Sequence, residues 1–283
     1  MTQKIAVAVI HGIGRQAPEF ANSVTDAIQR ICHESCGEDV VIKPVYWAPA
    51  MQQKEDTLWE RLIGGGPLQF RKIRRLMIDY VADALAYQPT AYDRRAYDDI
   101  HVVFAKTLRA LAEEAGPDAP LCVVSHSLGT VIASNYIYDL QKPDLISDPV
   151  RTEMTDTPLE KGHTLNLLYT LGSPLALWSL RFREFGRPIR IPAPELLDHY
   201  PDLQSAWVNY YDKDDLIGFP LRDLNDAYAE AVTADLEVNV GNLLTEWNPL
   251  SHTAYLSDQD VIQPIAESLI NTWKAVNPEE IEV

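Results

Sequence analysis

Apolar residues in this chain follow two recurring patterns. Short β-favouring runs alternate with longer stretches in which apolar positions recur every three or four residues. The runs Lys4–Ile10 (KIAVAVI), Val40–Tyr46 (VVIKPVY), Leu121–Val124 (LCVV), Thr164–Thr170 (TLNLLYT), Ser205–Tyr211 (SAWVNYY) and Asp235–Val240 (DLEVNV) read as strands. Pro44 assigns the second of them to an edge or a bulge, because proline cannot donate to a ladder. Helical spacing predicts helices from about Pro18 to Cys32, with Phe20, Val24, Ile28 and Ile31 on one face, and from Tyr97 to Glu114, stopped by Gly116-Pro117. A helix after Leu128 and a closing helix from about Val261 to Val276 complete the pattern. The stretches 141–162 and 188–201 are polar and Pro-containing and read as surface loops. Strands alternating with helices mark an α/β chain.

Composition narrows this picture. At 283 residues with 46% hydrophobic content, the chain has material for one large α/β domain or two small ones. We read residues 1–283 as a single domain. A formal charge of −17 argues against nucleic acid, since phosphate binding needs a basic face. No apolar run approaches the ~20 residues of a membrane span. No signal peptide is visible, and three cysteines (Cys32, Cys36, Cys122) form an odd set, so a reducing, cytoplasmic setting is the expectation. Cys32 and Cys36 lie one helical turn apart, but no second ligand pair accompanies them to suggest a metal site.

The chemistry concentrates at Leu121–Ala133 (LCVVSHSLGTVIA). An apolar strand runs straight into Ser125-His126-Ser127-Leu128-Gly129 and then into a helix. Strand, sharp turn with serine at its apex, and helix make a nucleophile elbow. The apex backbone is strained and its neighbours pass close by, so the residues two before and two after must be small. Gly129 fits, and Ser125 stands where glycine is usual. Taken alone, the pentapeptide also suits, as the lesser reading, an ordinary helix cap in which Ser127 only accepts a backbone N–H.

The first strand ends His11-Gly12-Ile13-Gly14. Gly12-x-Gly14-x-x-Ala17 resembles a dinucleotide fingerprint in pattern, but the next strand ends Tyr46-Trp47-Ala48-Pro49 without the acidic residue that fingerprint requires. The alternative is an oxyanion loop, in which the N–H of Ile13 pairs with the N–H of Leu128. Residues 48–99 exceed a minimal α/β core and read as a helical, cap-like insertion. It contains a Gly64-Gly65-Gly66-Pro67 break and a helix from about Leu68 to Tyr87 whose polar side holds Arg71, Lys72, Arg74 and Arg75. That insertion reads as a lid with a glycine hinge, as a packed extension with a solvated basic face, or as a lipid-facing surface.

The strand at 205–211 leads into Asp212-Lys213-Asp214-Asp215-Leu216-Ile217, where the acid of a triad belongs. Asp215, followed by apolar residues, is the choice. Asp214 and then Asp212 are the alternatives, Asp212 reading first as a turn support. After the last strand, Pro249-Leu250-Ser251-His252 places His252 just before the closing helix. The order Ser127, Asp215, His252 is that of the elbow-bearing folds. His11, Gly12, His126 and Ser173 are expected near the substrate, with His11 and His126 also as supports of the turns.

These motifs together resemble the α/β-hydrolases of serine esterase and lipase type. The residues that carry the likeness are His11-Gly12, the Ser125–Gly129 elbow, Asp214-Asp215-Leu216-Ile217 and Pro249–His252. The resemblance implies a mostly parallel central sheet, helices on both faces and a serine nucleophile. It implies cleavage of a small-molecule acyl ester through an acyl-enzyme, with no metal or cofactor required. Thioester or amide cleavage, acyl transfer, and an idle fold used for binding are the alternatives on the same scaffold.

Overall fold

Alternation along each short run sends side chains to two opposite faces, and here both faces are covered. In the computed structural model, which describes residues 2–13, 16–64, 84–90, 92–241, 252 and 254–278 (side chains of 52–55, 63 and 64 aside), the six runs form β1 (Ile5–Ile10), β2 (Val40–Val45), β3 (Leu121–His126), β4 (Leu165–Leu171), β5 (Ala206–Tyr211) and β6 (Ala234–Glu237). They pair in the order β2-β1-β3-β4-β5-β6, every pair parallel. Pro44 lies on the edge strand β2, as its missing N–H requires.

Helices flank the sheet: α1 (Asn22–Cys36), α2 (Pro49–Gly64), α3 (Arg95–Ala115), α4 (Leu128–Leu140), α5 (Asp148–Glu153), α6 (Leu175–Ser179), α7 (Leu196–His199), α8 (Asp226–Ala231) and α9 (Gln259–Val276). Ile5, Val7 and Val9 of β1 face one core with Val24 and Ile28 of α1 and Ile265 and Leu269 of α9. Ala6, Ala8 and Ile10 face the other, with Phe104 and Leu108 of α3 and Val131 and Tyr136 of α4. Burial of Val24 or Ile28 contributes about 2 kcal/mol each by apolar area. Strands covered on both sides have no polar face, so β1, β3 and β4 are buried at every position.

Several boundaries differ from the sequence reading. Helix α1 begins at Asn22, because Pro18 to Phe20 form a turn, and it reaches Cys36, which is buried on the same stripe as Cys32. Strand β6 stops at Glu237; the N–H of Val240 is taken by the Asp212 carboxylate, 2.8 Å away, instead of a ladder. The stretch 141–162 is not simply a surface loop: it carries α5 and a buried Glu160, whose carboxylate accepts from Thr155 and Thr157. Likewise 188–201 contains the single turn α7. Within residues 48–99, Met51 and Tyr87 are buried. Tyr87 stacks on Tyr97 and its hydroxyl lies 3.0 Å from His101 Nε2. Most of the expected helix from Leu68 to Tyr87, its arginine cluster and Gly65–Pro67 lie outside the described residues, as do Gly14 and Pro249–Ser251.

Candidate active site

Parallel strands point all their carboxyl ends the same way, so the turns after β1, β3, β4 and β5 share one edge. Register sets their spacing. Ile10 pairs with Ser125, so Gly12 and Ser127, two residues further on, stand side by side. His126 pairs with Leu171, and the Ser127 N–H donates to the Leu171 carbonyl at 2.9 Å.

Ser127 adopts φ 54°, ψ −130° between β3 and α4, a left-handed conformation unusual for a residue with a side chain. Such strain costs on the order of 1–3 kcal/mol and persists only where surroundings enforce it. A reciprocal clasp enforces it here. A Cβ on Gly12 would lie 2.5 Å from Ser127 Cβ, and a Cβ on Gly129 would lie 2.4 Å from the His11 carbonyl oxygen. Only glycine at both positions lets the two turns close on each other. The space a Cβ on Gly12 would need is thus filled by Ser127. Ser125, the departure from glycine, fits because its hydroxyl donates across the sheet to the Tyr169 carbonyl at 2.8 Å.

Three side chains distant in sequence meet at this edge. Ser127 Oγ lies 2.6 Å from His252 Nε2, and His252 Nδ1 lies 2.8 Å from Asp215 Oδ2. A carboxylate facing Nδ1 accepts a hydrogen bond from its N–H, so Nε2 carries the lone pair toward the serine hydroxyl. All three residues are buried. Burial by itself raises the Asp215 pKa, yet hydrogen bonds from His252, the Ile217 N–H and the Tyr255 hydroxyl hold it below the ordinary carboxylate value. Asp214 is exposed. Asp212 is buried but accepts from the N–H groups of Asp214 and Val240, so it supports the turn and stays away from the imidazole.

Supports surround this core. His11 Nδ1 bonds the Gly12 carbonyl at 2.7 Å, and its Nε2 accepts from the N–H groups of Trp47 and Ala48. Burial lowers its pKa to about 4, which keeps the ring neutral as those acceptor contacts need. His126 Nε2 donates to the His252 carbonyl at 2.6 Å, and burial with the neighbouring His252 lowers its pKa to about 3. Ser173 is fully buried, shares a hydrogen bond with Thr130 Oγ1 and accepts from the Leu175 N–H. His11, His126 and Ser173, expected near the substrate, all lie at this edge of the sheet, buried. Their polar atoms are engaged inside the fold, and they hold the turns in place. Ile13, which follows Gly12, is half-buried.

Tyr255 was not singled out in the sequence. It sits three residues after His252, at the start of a single helical turn (Tyr255–Ser257). Its hydroxyl donates to Asp215 Oδ2 at 3.0 Å and accepts from the Asp212 N–H at 2.9 Å. Burial, and then the Asp215 charge, push its pKa well up, so it stays a donor. The three-residue spacing from the histidine was the available signal. Among the described residues no group of His, Cys, Asp and Glu side chains is arranged to hold a metal ion, and no helix is long and apolar enough to cross a membrane.

The parallel sheet, its strand order and a serine on a strained strand–turn–helix give this chain the α/β-hydrolase fold. No model of a known protein family matches it, and no curated protein does. Among solved structures it is similar to the esterase domain of a Rhodothermus marinus protein, at 14% identity over 97% of this chain and 88% of that one, with a TM-score of 0.38. It is also similar to a fungal esterase from Rhizomucor miehei, at 11% identity over 96% and 76%, with a TM-score of 0.46.

Proposed function

We propose that this chain is a serine hydrolase that cleaves carboxylic esters of small molecules through an acyl-enzyme. The observation that carries the reading is the unbroken relay from Ser127 Oγ to His252 Nε2 at 2.6 Å and from His252 Nδ1 to Asp215 Oδ2 at 2.8 Å. In this scheme His252 takes the Ser127 proton as Oγ attacks the acyl carbonyl. Asp215 holds the imidazole in the required tautomer and stabilises the imidazolium that forms. The tetrahedral oxyanion is met by the N–H groups of Ile13 and Leu128, each contributing on the order of 3 kcal/mol. Collapse expels the alcohol, which leaves with the proton from His252. Water, losing a proton to the same imidazole, then attacks the acyl-serine and frees the acid. Residues 48–99 serve in this reading as a helical insertion of one α/β domain rather than a domain of their own.

The test uses an aryl ester and a fluorophosphonate probe. The wild-type chain is expected to turn over the ester and to be labelled once, at Ser127, as located by mass spectrometry. Ser127→Ala should lose about 10⁴-fold or more in kcat/KM and all labelling. Retained turnover in that variant, or a label elsewhere, overturns the assignment.

A further inference from the structure

The ester-cleaving scheme leaves one large feature unused. A cavity of about 730 Å³ runs along α4, walled on its other side by residues 175–190. Pockets for small organic ligands have this size. Its apolar wall includes Leu175, Trp178, Phe182 and Phe185, of which Phe182 is 56% and Phe185 42% exposed. Four cationic side chains also line it: Lys142, Arg181, Arg187 and Arg190.

The charge here runs against that of the whole chain, which has 41 acidic and 24 basic residues. The one carboxylate in the lining, Asp139, is buried and already accepts from the Tyr97 hydroxyl at 2.9 Å, with His101 Nδ1 at 3.5 Å. Among the described residues no carboxylate pairs with Arg181, Arg187 or Arg190. The Trp178 indole N–H is buried without a hydrogen-bond partner, an unmet donor in the same wall. The loop that presents these groups is tied down. The Gln141 amide bonds both the N–H and the carbonyl of Arg190, and the Asn225 amide donates to the carbonyls of Glu184 and Gly186.

We propose that this cavity binds a small amphipathic anion. A carboxylate or phosphate head is held by Arg181, Arg187 and Arg190, whose forked donors match either group. An apolar body lies against Leu175, Trp178 and Phe182, covering surface that is otherwise wet. Ser134, on the α4 side of the lining, is seven residues beyond Ser127, about 10 Å along the helix at 1.5 Å per residue. Binding is therefore separable from ester turnover.

Titration calorimetry on the intact chain tests this with decanoate, decyl phosphate, inorganic phosphate and decyltrimethylammonium, all below micelle formation. Saturable 1:1 binding of decanoate or decyl phosphate is expected, and which of them binds tighter identifies the head group. The cationic amphiphile should bind at least 10-fold more weakly. The triple variant Arg181→Gln, Arg187→Gln, Arg190→Gln should lose at least 10-fold in affinity while aryl-ester turnover stays within twofold. Should the triple variant not fold, Arg187→Gln alone is expected to lose about threefold. Equal binding of anion and cation, undiminished binding in the variants, or attachment only to phosphatidylglycerol vesicles would each overturn the proposal.

Discussion

The Asp215 carboxylate receives three donors: the imidazole of His252, the phenol of Tyr255 and the backbone N–H of Ile217. That set distinguishes it from Asp214, which is exposed, and from Asp212, whose oxygens serve backbone N–H groups. Asp215→Asn leaves the shape intact but lets the amide favour the wrong imidazole tautomer, so kcat is expected to fall by about 10⁴. Asp214→Asn should stay within about twofold in the same aryl-ester assay. Tyr255→Phe removes a donor to Asp215 and the acceptor of the Asp212 N–H. The carboxylate, short of one donor, becomes more basic, and the acid limb of kcat/KM, which belongs to the coupled Asp215–His252 pair, should move upward. The orphaned N–H should lower stability by about 1–3 kcal/mol, read from urea unfolding. An unchanged profile and midpoint would show that the phenol is idle.

At the scale of elements, the site is made by two turns that close on each other. The turn after β1 and the elbow between β3 and α4 touch through Gly12 and Gly129. A methyl group at 129 would meet backbone atoms of His11, which cannot rotate away as a flexible side chain can. Gly129→Ala is therefore expected to lower Tm by several degrees and ester turnover by more than 100-fold, measured by thermal melts and initial rates. The elbow was legible from Ser125 to Gly129 because small residues around an apex serine have a steric cause. His11 was read both as a support and as a pocket residue. Its partners, the N–H groups of Trp47 and Ala48, come from the segment after β2, more than thirty positions away. No local pattern encodes that meeting.

For the whole molecule, buried neutral histidines link stability to pH. The folded pKa of His11 is lowered to about 4 and that of His126 to about 3 by burial, and burial lowers that of His101 as well. Their unfolded value is about 6.5. A folded pKa below the unfolded one means that the unfolded chain binds protons first as pH falls. The stability these groups confer is thus complete above pH 6.5 and is lost as pH drops from there toward 4 and 3. Between pH 7 and pH 5 the loss should be about 2 kcal/mol for each of His11 and His126. Most carboxylates keep their charge over that interval, so a lower urea midpoint at pH 5 reads the histidines. Equal midpoints at the two pH values would contradict their burial.

The sequence by itself determined the elements and the reactive edge. Strand runs, helical stripes and the order of serine, aspartate and histidine are short-range patterns, set by the pleat, the helical turn and the steric demand of an elbow. Assembly decided the rest. Which of three neighbouring aspartates faces the imidazole, that Tyr255 bridges two of them, and that Lys142 shares a cavity with Arg181, Arg187 and Arg190 all follow from register and packing. Those forces act between residues remote along the chain, so no window of sequence contains them.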